Sequence, residues 1–195
     1  MDLKLAGKRV LVTGSSHGIG LAIAHAFHQE GCHIVANGRD MRRLNASIGN
    51  KKNYSGIVSD VTDPVQAAQL IDQAANILGG IDIVVCNVGS GASAKPGTEK
   101  FADWQKSLSI NLFSTTNIIE SAIPKLKKTK GIIVCISSIC GDEVVPGAPV
   151  TYSAAKAALN AYIRCVSVPL ASDNIRINGV APGNILFEGS VWDKK

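Results

Sequence analysis

The stretch Val10-Leu11-Val12-Thr13-Gly14-Ser15-Ser16-His17-Gly18-Ile19-Gly20 decides the architecture. Three apolar residues run into a turn that holds three glycines. A helical pattern follows over Gly18–Glu30, with Ile19, Ile23, Ala26 and Phe27 on one face. Glycines let a chain turn tightly and let a ligand approach the backbone, and a helix start presents unpaired N–H groups to a phosphate. Strand before, glycine turn, helix after is the context that such a phosphate site requires. Gly14, Ser16, His17, Gly18, Ile19 and Gly20 are therefore candidate cofactor-binding residues.

Working outward, the same alternation recurs. Short runs rich in Val and Ile lie at Arg9–Thr13, His33–Asn37, Tyr54–Ser59, Ile81–Cys86, Gly131–Ser137 and Ile175–Val180. They do not alternate polar with apolar, as expected of strands buried on both faces. Between them lie amphipathic stretches, among them Asp63–Leu78, Phe101–Lys128 and Tyr152–Ala171. Strand and helix repeated this way predict an α/β, doubly wound, Rossmann-type fold. About six parallel strands would be flanked by helices on both faces. Residues 1–195 read as one dinucleotide-binding domain, with its ligand at the C-terminal ends of the strands.

Composition narrows the function. The 195 residues are 46% hydrophobic and 18% charged, a globular balance. No apolar run approaches the ~20 residues of a membrane span, and the charged N-terminus has no signal-peptide core. A cytoplasmic protein is expected. Five scattered cysteines, mostly in apolar runs, read as reduced, buried thiols. The net charge of +5 is densest at Lys125, Lys127, Lys128 and Lys130, which close a helix, where cations complement the dipole. Without interleaved aromatics or a nucleic-acid motif, an anionic small molecule suits that charge better than nucleic acid.

Three further places gather chemistry. The second strand ends at Gly38, where an NAD site wants an acid, and Arg39 follows; a guanidinium matches a 2′-phosphate. This favours NADP(H) over NAD(H). Asp40 either caps the next helix or serves an NAD site. Asp60 and Val61 close the third strand, and Asp60 could accept from an adenine amino group. Asn87 and Gly89 close the fourth, where the turn admits a ribose. Finally, Tyr152 and Lys156 share one helix face at i, i+4. The ammonium is expected to lower the phenol's pKa towards use as an acid/base. Ser138, at the end of the fifth strand, converges on the same crevice, whereas strand alternation is expected to send Ser137 to the other face.

With its T-G-x-x-x-G-x-G turn, the sequence resembles the short-chain dehydrogenase/reductase family, from about Lys4 to about Trp192. The resemblance implies hydride transfer between nicotinamide and a carbonyl or secondary alcohol. It makes Asn111, Ser138, Tyr152 and Lys156 a catalytic tetrad. Ser138 would polarise the carbonyl, Tyr152 would move the proton, Lys156 would also bind the nicotinamide ribose, and Asn111 would support a water relay. Pro182, Gly183 and Ile185 match the turn that meets the nicotinamide. Cys86 and Val88 depart from the family's N-N-A-G, and no Thr follows Pro182–Gly183. A homodimer through the Phe101–Lys128 and Tyr152–Ala171 helices is implied. Leu186–Trp192 would begin a substrate lid, with the family's further helix and strand absent, so turnover of this form is expected to be weak. The alternative is a binding protein that holds NADP(H) as a sensor or scaffold.

Two features are set aside. His25, His28, Cys32 and His33 cluster in sequence, but their side chains would not converge on a metal. Cys140 reads as a packed or half-exposed thiol. Pro169 is expected to kink or end the helix that contains it.

Overall fold

In the computed structural model, residues 2–186 are described. Six parallel strands form one sheet in the order β3-β2-β1-β4-β5-β6. They are β1 (Arg9–Val12), β2 (His33–Gly38), β3 (Tyr54–Val58), β4 (Ile83–Cys86), β5 (Ile132–Ile136) and β6 (Arg176–Val180). The order reverses between β1 and β4, so a crevice opens there at the C-terminal ends of the strands. Register keeps those ends level: Val12 lies opposite Ala36 and Val85, and Cys86 opposite Cys135.

The helices are α1 (Gly18–Gln29), α2 (Met41–Ile48), α3 (Pro64–Leu78), α4 (Phe101–Leu108), α5 (Ser114–Thr129) and α6 (Val150–Ser172). The side chains of β1 to β5 divide between two cores, whereas β6, at the edge, buries only Ile177 and exposes its other residues, contrary to the two-sided burial its apolar run suggested. Leu11, Val35, Val84 and Ile133 pack with α3, α5 and α6, while Val10, Val12, Ile34 and Ile83 pack with α1 and α2. That two-sided burial is why the strands read as continuous apolar runs. Asp40 and Asp63 cap α2 and α3 by accepting from backbone N–H groups two and three residues on, and α3 stops at Gly79 in the left-handed region.

The helical stretch from Phe101 is not one α-helix. A five-residue π-helical segment, Ser109–Phe113, separates α4 from α5 and carries Asn111 at its centre. Wider turns of this kind occur chiefly as single insertions at functional sites, and no residue type announces them. Pro169 does not end α6, which runs on to Ser172; Pro124 likewise sits inside α5. Pro169 falls in the last turn, so the bond it removes is one of few left to lose. The expected lid from Leu186 to Trp192 lies, beyond Leu186, outside the described residues.

No described helix is long and apolar enough to cross a membrane. His25 and His28 point their Nε2 atoms at the Ser47 and Lys52 carbonyls and edge onto the Tyr54 ring.

Candidate active-site cleft

The glycine turn is clamped from both sides by asparagines on the neighbouring strands. Asn87, just after β4, donates through Nδ2 to the carbonyls of Thr13 (3.1 Å) and Gly14 (3.0 Å). Asn37, in β2, accepts from Gly14 N at 3.4 Å and donates to the Ile57 and Ser59 carbonyls at 3.2 and 3.1 Å. Gly14 adopts φ +60°, and a Cβ at Gly20 would run into Gly14 O and Asn87 Nδ2. Both positions therefore need glycine. His17 precedes α1 without a side-chain cap, unlike the aspartates before α2 and α3. The amides of Gly18, Ile19 and Gly20 consequently have no partner among the described residues.

This turn forms one wall of a cleft of about 330 Å³. Gly14, Ser16, His17, Gly18, Ile19 and Gly20 all line it, as do Arg39, Asp60, Val61, Asn87, Gly89, Ser138, Tyr152, Lys156, Pro182 and Gly183. Two expected residues stand apart. Ile185 is exposed and outside the lining. Asn111 is buried and borders a neighbouring cavity with Ser90 and Ser107. Its amide reads the backbone of Ser90 in both directions, accepting from N at 2.8 Å and donating to O at 3.0 Å. Gly89 sits between the two spaces: a Cβ there would lie 3.1 Å from Asn111 Oδ1 and 3.2 Å from Lys156 Nζ.

Arg39 is 75% exposed at the outer end of the cleft, 3.8 Å from Asp60 Oδ2. Asp40 accepts from the Arg42 and Arg43 amides as the cap of α2. Asp60 Oδ1 accepts from Thr62 N (3.0 Å) and Oγ1 (2.8 Å), which orients the carboxylate.

At the inner end, Lys156 is 2% exposed and donates to the Ile136 carbonyl at 2.8 Å. Burial pushes its pKa down to about 8. Its Nζ lies 5.9 Å from the centre of the Tyr152 ring. The phenol is not pulled down as the i, i+4 spacing suggested: burial raises it, and the Ser138 hydroxyl only partly offsets that. Desolvation of the phenolate outweighs an ammonium placed over the ring rather than at the oxygen. Ser137 also departs from expectation. β5 ends at Ile136, so alternation no longer governs the next residue, and Ser137 lines the same cleft while its hydroxyl donates to Asn160 on α6.

The residues present fit a dinucleotide. The amides of Gly18, Ile19 and Gly20, unpartnered among the described residues, and the positive-φ backbone at Gly14 suit a pyrophosphate. Sequence reading missed Asn37, Ser137, Ile110 and Thr62. For Asn37 there was a signal: a lone polar residue in a run that is otherwise buried and apolar.

Comparison with known proteins identifies the family. A family profile described as short chain dehydrogenase matches residues 8–190. The chain is 35% identical over 186 residues to the 3-oxoacyl-[acyl-carrier-protein] reductase FabG of Rickettsia felis, covering 94% of this chain and 75% of that protein. It is 34% identical over 186 residues to the glycine betaine reductase ATRR of Emericella nidulans, covering 92% of this chain but only 14% of that protein. A short-chain dehydrogenase/reductase of unknown function from Caenorhabditis elegans, crystallised with cofactor, superposes with a TM-score of 0.87 at 31% identity, covering 92% of this chain and 70% of that one.

Proposed function

The chain belongs to the short chain dehydrogenase family of NAD(P)(H)-binding oxidoreductases, and on that premise we propose an NADP(H)-dependent enzyme that interconverts a carbonyl and a secondary alcohol. The observation that carries this reading is the meeting of Ser138, Tyr152 and Lys156 in one cleft with the uncapped start of α1.

The bound nicotinamide supplies or accepts the hydride. The protein's own part is to place and protonate the substrate oxygen. Ser138 donates a hydrogen bond to that oxygen and fixes its direction. In reduction, Tyr152 passes its phenolic proton to the oxygen as negative charge develops there; in oxidation it takes the proton back. A phenol held above its ordinary pKa stays protonated and neutral at neutral pH, with its proton available to give. Lys156, charged below about pH 8, stabilises the phenolate left after transfer. Asn111 acts at one remove, by fixing the Ser90 backbone and so the Gly89 turn.

The cofactor preference rests on the outer end of the cleft. Gly38 stands where an acid would favour NAD(H), Asp40 is occupied as a helix cap, and Arg39 has an exposed guanidinium held only by a long 3.8 Å ion pair with Asp60. A homodimer through α4–α5 and α6 suits the exposed Phe101 (76%) and Val168 (73%) on those helices.

The test is a pair of fluorescence titrations with NADPH and NADH, followed by loss of reduced-nicotinamide absorbance across a panel of ketones and aldehydes. Tighter binding of NADPH and turnover of at least one carbonyl are expected. Equal affinities would remove the cofactor preference. Tight NADPH binding with no turnover across the panel would replace the enzyme by a binding protein.

A further inference from the structure

One polar network beside the cleft is unused by the mechanism above. The Ser137 hydroxyl, immediately before Ser138, donates to Asn160 Oδ1. Asn160 Nδ2 in turn donates to Asp142 Oδ2 at 3.0 Å. The Asn160 amide therefore grips both ends of the segment that runs from the end of β5 through the tight turn Ile139–Gly141. The segment also lies directly on α6: a Cβ at Gly141 would stand 2.8 Å from Asn160 Nδ2 and 2.8 and 2.9 Å from the Lys156 carbonyl carbon and oxygen. Asn160 is one helical turn beyond Lys156 and two beyond Tyr152, so one face of α6 carries all three. Within the gripped segment, Ser138 Oγ accepts from Cys140 N at 3.2 Å.

Resting on the reading of Ser138 and Tyr152 given above, we propose that Asn160 is a positioning residue. By binding Ser137 and Asp142 at once, it holds the Ser138 turn in register with Tyr152 and Lys156. It touches neither substrate nor cofactor. An amide is suited to this task because it accepts from a hydroxyl on one side and donates to a carboxylate on the other. A leucine of similar size does neither. An aspartate keeps the acceptor for Ser137 but sets a second carboxylate against Asp142.

The test compares Asn160→Leu, Asn160→Asp and the exchange pair Asn160→Asp with Asp142→Asn, in which the donor and acceptor trade places. On a carbonyl accepted by the parent enzyme, each single variant is expected to lower kcat about tenfold, as small misplacements of reacting groups do. The NADPH dissociation constant should stay within about twofold, since no cofactor contact changes. The exchange pair should recover most of kcat. A second readout does not depend on turnover. Fluorotyrosine is incorporated, and its Tyr152 resonance is assigned by its loss in Tyr152→Phe. Its titration midpoint should rise in Asn160→Leu, where Ser138 no longer helps the phenolate, and return in the exchange pair. Should Asn160→Leu fail to fold, Asn160→Asp and the exchange pair carry the same comparison.

An unmoved fluorine midpoint, NADPH affinity that falls in step with kcat, or an exchange pair no better than Asn160→Asp would each overturn the proposal. Absence of turnover on every carbonyl would defeat the proposed function, while the fluorine titration would still decide the positioning role.

Discussion

The two ends of the sheet treat their polar groups in opposite ways. At the N-terminal ends of the strands, Arg9 and Asp82 close on each other. Arg9 Nε donates to Asp82 Oδ2 at 2.8 Å, its second guanidinium nitrogen to Oδ1 at 2.7 Å, and its backbone N to Oδ2 at 2.9 Å. The pairing holds the Asp82 carboxyl below its ordinary pKa and the guanidinium above its own. At the C-terminal ends, little is paired off. Among the described residues, three amides at the start of α1 have no partner, Arg39 extends into solvent with only a long ion pair to Asp60, and the buried Lys156 meets a backbone carbonyl but no carboxylate. Satisfied groups contribute stability; groups left unsatisfied cost stability and are kept for a ligand. One end of this fold is thus built to hold, the other to bind.

Four substitutions would break or sharpen that contrast. The largest effect belongs to Gly20→Val, whose side chain would run into Gly14 O and Asn87 Nδ2. NADPH affinity should fall more than about 100-fold, since the phosphate cradle and its asparagine clamp move together; fluorescence titration reads it. Next is Lys156→Met. Burying the ammonium without a countercharge costs stability, so the variant should be more stable at neutral pH by about 2–3 kcal/mol, while turnover is lost.

The sign of its pH dependence follows from the pKa near 8 against an ordinary 10.5. Between those values the unfolded chain holds a proton that the folded chain has released, so the parent's stability rises with pH. Tyr152, shifted upward from 10, works in the opposite sense only above that value. Urea unfolding at pH 8 and pH 10 should therefore show the parent gaining on Lys156→Met as pH rises.

Arg39→Ala should weaken NADPH about tenfold and leave NADH unchanged, the modest value reflecting an exposed guanidinium. The smallest effect is at the other end. Arg9→Met should lower the unfolding free energy by about 1–2 kcal/mol with NADPH affinity unaltered. If Arg9→Met instead impaired binding, the division between the two ends would not hold.

What could be read from the sequence follows the same divide between local and distant information. The strand–turn–helix of the glycine motif and the Tyr152/Lys156 pair are short-range patterns fixed by helical and strand periodicity, and the structure brings them together at one cleft. The clamp by Asn37, the π-helical segment around Asn111 and the turn of Ser137 towards Asn160 depend on partners 20 to 23 residues away or on a backbone irregularity. No window of sequence contains them. The direction of the Tyr152 shift is hidden from the sequence for a related reason: spacing places the ammonium near the phenol, but only packing sets how much water the phenol has lost.

The central claim is that Tyr152 carries the proton in a cleft whose remaining parts serve binding. It is tested most directly by measuring kcat and the NADPH dissociation constant of Tyr152→Phe in the same preparation. A fall in kcat of about 10²–10⁴-fold is expected, with the dissociation constant essentially unchanged. Turnover equal to that of the parent enzyme would contradict it.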